Sequence, residues 1–577
     1  MRIGRFLGAI LCLVLMTPKP DAMGAASEER QKTKKNICIS PAAASKFLES
    51  TKTSRGIGRA QLVAQGNVVI LDAAPELLIL SNVFDLRGKT VQFLPATRGR
   101  YTYTIAANSF NGQAIRTLSL KDDESYELIL KRFQFPFGKN LYDRCYINSN
   151  GNITFSLPDP DPPNAESLTT GPDRIAALFA DLDPEHSGTI FVNETAEKVT
   201  VSWLKVPEFF NQNQFGYGRN TFQITLYRDG RIDLAYSDEL TATQVLTGVL
   251  ASSSKAPATW VDFSKQTSGK RPSASLMENF RDYESVDIRQ VMKSLYQSIK
   301  DKYDFVTLLS NFDLTPVPGA QAFAINVRNT TLGIGDPSEI GSAVFSENEK
   351  YGSTEALENI TFLGNLHQYP SDPARRIADN QTSLLGILAH EVGHRWLSYV
   401  KISKDGAKSN SLLGRDKSHW SFFLDSSGSF LEGNQIAQKN ANTFVTQTPL
   451  QRYSELDLYL MGLLALEEVP DILLVDGAHE FSPSFTFVAE SAPETKITFK
   501  GSAIPIRIED IIAANGPRKP SISKSQKTFT HLFVLITKTT TPATPEEIAY
   551  VDLLRTQWEA YFFQMTRGRA RVVTLLQ

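Results

Sequence analysis

A chain of 577 residues is longer than one hydrophobic core can serve, so three or four domains are expected. Its 60 basic and 62 acidic side chains leave a net charge of -2, which gives no electrostatic reason for a nucleic acid or an anionic membrane as partner. Hydrophobic residues at 41% and charged residues at 21% are globular proportions and exclude an intrinsically disordered chain.

The chain opens with Arg2 and Arg5, then an apolar run from Phe6 to Met16 that is too short to span a bilayer, then small residues at Gly24, Ala25 and Ala26. That order predicts a secretory signal peptide over 1–26 and a secreted, extracellular chain with no transmembrane helix after it. Past the leader only Cys38 and Cys145 remain. They can form one disulfide in an oxidising compartment or stay as structural thiols, and they are too few for a cysteine-rich zinc site.

Residues 27–125 read as a polar tail followed by a small β module. Short β-like runs at 60–63, 68–71, 77–80, 90–93 and 101–105 are separated by turn residues such as Arg87-Gly88 and Asn111-Gly112. A second β region follows over 126–265. Asn150-Gly151 joins two apolar-alternating runs as a hairpin turn, and Asp229-Gly230 joins two more. The phrases Phe133 to Gly138, Tyr146 to Phe155 and Ile175 to Asp183 resemble, in order and turn chemistry, the nidogen-like extracellular module. Such β modules are expected to bind extracellular partners. Asp181, Asp183 and Glu185 alternate as calcium ligands would, although a solvated acidic turn explains them better and the full twelve-residue Ca²⁺ loop is missing.

The polar stretch 265–275 reads as the linker into a domain over 276–470. Ile288, Val291, Met292, Leu295, Ile299 and Tyr303 fall at helical spacing, and strand-like runs follow at 305–309, 320–327 and 360–363. Next comes His390-Glu391-Val392-Gly393-His394, which is H-E-x-x-H. On a helix, positions i and i+4 share a face, so the two imidazoles can hold one metal with Glu391 beside them as base. Thr382 or Ser383 can cap that helix, and Leu384, Leu385, Leu388 and Val392 give it a buried face. With seven histidines in the chain, the pentapeptide arises by chance in about one per cent of cases or fewer.

Together with Gly364 to Pro370, Leu413 to Trp420 and Tyr453 to Gly462, this segment resembles exported bacterial zincin metallopeptidases of metzincin-like type. The resemblance implies an α/β catalytic domain, a catalytic Zn²⁺ and an edge strand that binds the substrate backbone. The extended metzincin motif places its third histidine on the helix continuation, where this chain has Leu397 and Val400. Two other residues can complete the zinc site: His419, in a loop 25 residues after His394, or Asp457, by analogy with zincins whose third ligand is acidic. Met461 in Leu458 to Gly462 matches the methionine turn of the clan, with core filling as the plainer reading. Tyr453 and Tyr459 are weak candidates for an oxyanion hydroxyl, and Trp396 and Trp420 for pocket walls. Strand runs at 472–475, 485–488, 496–499 and 531–537, then a capped helix from Thr544, predict an α+β region over 471–577 as lower or closing part of the catalytic domain.

The expectation is a multidomain chain of N-terminal β modules and a zinc metalloendopeptidase acting on protein or peptide. The alternative is an extracellular adhesion or matrix-binding protein with a degenerate peptidase domain.

Overall fold

The structure is a computed structural model that describes Pro41 and residues 60–576 apart from 74–76, 114, 164–170, 210–217, 255–257, 266–270, 318–319, 321, 338–342, 378–381 and 405. The proposed leader, Cys38 and part of the 265–275 stretch lie outside the described residues.

One mixed sheet organises the half of the chain that carries H-E-x-x-H. Its spatial order is Gln61–Gln65, Val68–Asp72, Thr528–Thr537, Phe305–Ser310, Asn359–Asn365 and Phe323–Asn326, and Arg571–Val573 also pairs with Thr528–Thr537. Val68–Asp72, Thr528–Thr537, Phe305–Ser310 and Asn359–Asn365 run parallel. Their continuous apolar text (FVTLLS at 305–310) is what a strand covered on both faces requires. Phe323–Asn326 is an antiparallel edge strand. Helix α1 (Ile288–Tyr296), capped by Asp287, packs its Ile288, Val291, Met292 and Leu295 on one face of the sheet with Val69, Val306 and Val534. The other face is covered by Leu384–Gly393 and Pro545–Met565, through Leu384, Leu388, Val551, Leu554, Trp558 and Phe562. The last helix starts where the sequence puts its capping box, with the Thr544 hydroxyl accepting from the Glu547 amide.

A second body of β structure is a sandwich of two seven-stranded sheets. Cys145, Trp203, Phe222, Ile224 and their neighbours form its core between the sheets. The two runs of Asn220–Tyr227 and Ile232–Tyr236 pair as the Asp229-Gly230 turn predicts.

Two boundaries differ from those expected in chain order. Within its described part, the small β module of 27–125 does not stand alone. Val68–Asp72 joins the mixed sheet beside Thr528–Thr537, whereas Lys89–Ala96 joins the sandwich beside Ile232–Tyr236. The 265–275 stretch is not the domain border either, because Leu276–Phe280 pairs with Val245–Leu250 inside the sandwich. The border lies where Leu78–Ile79 pairs antiparallel with Ser285–Val286 and Asn82 bridges Arg281. The sandwich is thus inserted into the other half of the chain through one paired entry and exit. A period of two identifies a strand and its buried face, but it carries no information about which distant strand completes it.

Trp420–Asp425, Glu432–Asn440, Thr443–Gln447, Thr498–Ile506 and Ile472–Ser482 close a five-stranded barrel. Phe422, Phe444, Phe487 and Phe499 fill it. The run expected as a strand at 485–488 is irregular chain whose Phe487 plugs this barrel. The 471–577 segment is therefore divided between barrel and mixed sheet.

Candidate metal centre

The helix Leu384–Gly393, α3 after α1 and the short α2 (Asn348–Tyr351), begins at Ser383, whose hydroxyl accepts from the Gly386 amide at 3.2 Å. It ends at Gly393, with His394 as its still-helical last residue, so His390 and His394 lie one turn apart on one side. Gly393 lets Leu431 pack close to the helix: a Cβ there would lie 2.6 Å from Leu431 Cδ2 and push that side chain aside. That close approach brings the Phe430 carbonyl within 2.6 Å of His390 Nδ1. The carbonyl can only accept, so the ring proton sits on Nδ1 and the lone pair on Nε2.

His419, in the loop entering the barrel, meets the same point from the other side. His390 Nε2 is 3.2 Å from His394 Nε2 and 3.2 Å from His419 Nε2, and the ligand atoms of all three lie within 4.8 Å of one another. His419 Nδ1 donates to the Arg415 carbonyl at 3.0 Å, which again leaves Nε2 as the acceptor. Nitrogens bound tetrahedrally to zinc at about 2.0–2.1 Å stand about 3.3 Å apart, so the spacing fits that ion. Burial pushes His390 down to about 4, with Glu432 opposing. His394 is held well below its usual range by burial and then by the two neighbouring imidazoles, and His419 by burial and then by Arg415. Neutral, converging imidazoles are the ligand form that Zn²⁺ takes.

Glu391 is fully buried on the same helix. Asp457 is also fully buried, but its carboxylate is spent elsewhere. Oδ1 accepts from Trp420 Nε1 at 2.9 Å, and Oδ2 from the Ser429 hydroxyl at 2.6 Å and the Ser454 amide at 2.8 Å. The acidic alternative for the third ligand therefore corresponds to a clamp: Trp420 follows His419 and Ser429 precedes Phe430. Helix α4 (Glu455–Leu460) carries Asp457 at its third position, and Met461 closes the helix inside the core shared with Leu388 and Val392.

The Tyr453 hydroxyl donates to the Ala389 carbonyl at 2.7 Å and is fully buried, which removes it as an oxyanion donor. Tyr459 is buried in the core, Trp396 packs on Phe305 and Phe529 there, and Leu397 and Val400 fill it too. Of the other histidines, His367 pairs with Glu547 at 2.8 Å, and His531 lies between Thr307 and Trp558.

Two neighbours of the imidazoles escape sequence reasoning. Arg415 Nη2 donates to His419 Nε2 at 3.0 Å and is ion-paired with Glu432, whose Oε1 stands 4.0 Å from the same nitrogen. Only the spacing of Arg415 four residues before His419 was a signal, and it is a common one.

In the sandwich, the acidic group that forms is Asp122, Asp123 and Asp181. Asp183 instead accepts from the His186 amide at 3.0 Å, and Glu185 stands outside the group, so the calcium expectation keeps only Asp181 of its three residues. Burial, followed by the neighbouring carboxylates, pushes Asp122 and Asp181 up to about 6. Cys145 is a buried thiol pushed up to about 12 by burial, and its proposed partner Cys38 is outside the described residues.

Compared with known proteins, residues 94–285 match the model of a NIDO-related domain family. The inserted sandwich is thus a nidogen-like module, larger at both ends than the 126–265 read from sequence. Comparison with curated proteins and with solved structures returned no match.

Proposed function

We propose that the chain is a secreted zinc metalloendopeptidase, in which His390, His394 and His419 hold Zn²⁺ and Glu391 is the general base. The observation that carries the reading is the convergence of three neutral imidazole Nε2 atoms, two of them oriented by backbone carbonyls. Bound zinc supplies a Lewis acid that activates water near neutral pH. Glu391, sealed from bulk solvent next to His390, takes the proton of the attacking water at its carboxylate and returns it to the leaving nitrogen. Asn326 of the antiparallel edge strand donates to the His394 carbonyl at 2.8 Å, which sets that strand beside the imidazoles. The peptide substrate rests on the H-E-x-x-H pattern rather than on this strand, whose four residues are all buried.

The test is the Glu391→Gln variant of the full chain. It should keep stoichiometric zinc by elemental analysis and lose peptide hydrolysis, and full activity would refute the role of Glu391. A second reading, an extracellular adhesion protein with a degenerate peptidase half, is favoured by the nidogen-like match over 94–285. A purified chain without stoichiometric zinc would support that reading over the first.

A further inference from the structure

We propose that Arg415, held by Glu432, is the oxyanion-binding group of the metal centre, taking the developing negative oxygen of a peptide carbonyl. This rests on the zinc reading above and adds to it a residue that neither holds the metal nor moves the proton.

The first argument is position. Arg415 Nη2 lies 3.0 Å from His419 Nε2, the atom by which that ring faces the centre. Nε2 has one lone pair. A cation on that lone pair displaces Nη2 from it, the Glu432 ion pair keeps the guanidinium beside the centre, and an anionic oxygen on the cation can then accept from it.

The second argument is charge. Imidazoles that ligate a cation are neutral, so in the buried centre a dication, one guanidinium and the carboxylates of Glu391 and Glu432 leave one positive charge, while Asp416, 3.6 Å from Arg415 Nη1, is 43% exposed and screened by water. The side chains of Arg415 and Glu432 are only 16% and 14% exposed, so water screens that excess poorly. An oxyanion neutralises it, and it forms only as the reaction proceeds, which is where such stabilisation accelerates chemistry.

The third argument is the backbone. Asp416, Lys417 and Glu432 adopt φ of 54°, 53° and 69°, a left-handed conformation that side-chain-bearing residues rarely take. Asp416 and Lys417 follow Arg415 directly and Glu432 is its partner, and the Asp416-Lys417 turn also presents the Arg415 carbonyl to His419 Nδ1.

In the step itself the water oxygen bonds to the carbonyl carbon and its proton goes to Glu391. The carbonyl π pair moves onto the carbonyl oxygen, and the guanidinium donates to that oxygen. Collapse then re-forms the carbonyl, breaks the C–N bond and sends the proton to the amine.

The experiment uses the full chain loaded with Co²⁺ in place of zinc, titrated with inorganic phosphate as the oxyanion probe and followed by its visible absorption. Arg415→Ala should keep wild-type metal stoichiometry and bind phosphate about 10–100-fold more weakly, as loss of a charge-assisted bond implies. Arg415→Lys should fall between, since it keeps the charge but not the fork. With the zinc-loaded chain, kcat should drop in Arg415→Ala with little change in KM. Equal phosphate affinity in wild type and Arg415→Ala, both metal-loaded, would overturn the inference alone. Loss of metal from both Arg415→Ala and Arg415→Lys would also overturn it, by making Arg415 a support for His419. A wild-type chain that takes up no stoichiometric metal would overturn the zinc reading and this inference together.

Discussion

Replacing Asp457 by Asn separates a metal ligand from a clamp. The two side chains have the same shape, but the carboxylate uses both oxygens as acceptors, for Trp420 Nε1 at 2.9 Å and for the Ser429 hydroxyl and Ser454 amide at 2.6 and 2.8 Å. An amide has one acceptor oxygen. If that oxygen serves Ser429 and Ser454, the NH₂ group faces the indole N–H, donor against donor, at a site with no solvent exposure. One bond is lost and two buried donors go unsatisfied, each worth about 1–3 kcal/mol, so a loss of about 2–5 kcal/mol is expected. Trp420 and Ser429 adjoin His419 and Phe430, so the disturbance reaches both the third imidazole and the carbonyl that orients His390. Substitutions in such supporting contacts typically weaken metal binding by about 10–100-fold. Zinc affinity by chelator competition and thermal unfolding of the zinc-loaded chain measure the two effects. Wild-type affinity together with wild-type stability would refute the clamp. A folded Asp457→Asn chain devoid of zinc, beside a His419→Ala chain that retains it, would make Asp457 the ligand after all.

Other outcomes follow from the same geometry. His419→Ala should abolish stoichiometric zinc, whereas His479→Ala, altering an exposed barrel histidine, should leave metal content unchanged by elemental analysis. Glu278, where the sandwich meets the rest of the chain, is pushed up to about 7 by burial, against the pull of Asn82 and the Phe263 amide. The folded state therefore keeps that proton longer than the unfolded one. Stability should fall as pH rises from about 4.5 to about 7 and level off above, and thermal unfolding of Glu278→Gln should lack this component. Deleting 60–72 should destabilise the half that carries His390, because it strips one of the parallel partners from Thr528–Thr537. Replacing the sandwich by a short link from Leu78–Ile79 to Ser285–Val286 should leave zinc binding intact, and loss of zinc in that variant would contradict the insertion topology.

Local chemistry was legible in the chain text. Ser383 caps the helix, His390 and His394 share a face, Thr544 and Glu547 form their capping box, and the apolar runs near 305 and 531 became central parallel strands. Each depends on residues within a few positions of one another, so periodicity and capping determine it. Long-range pairing does not have that property. The sequence put His419 a little ahead of Asp457 without deciding between them; only the folded chain brings His419 to 3.2 Å from His390 and turns Asp457 toward Trp420 and Ser429. Arg415 and Glu432, 17 residues apart, become a pair only because the barrel strand starting at Glu432 lies beside the His419 loop. Val68–Asp72, early in the chain, finds its parallel partner more than 450 residues later. The sequence by itself determined the H-E-x-x-H helix and the strands' buried faces. The tertiary structure alone decided the third imidazole, the charged pair beside it and the insertion of the nidogen-like module, because side-chain periodicity encodes which face is buried and not what buries it.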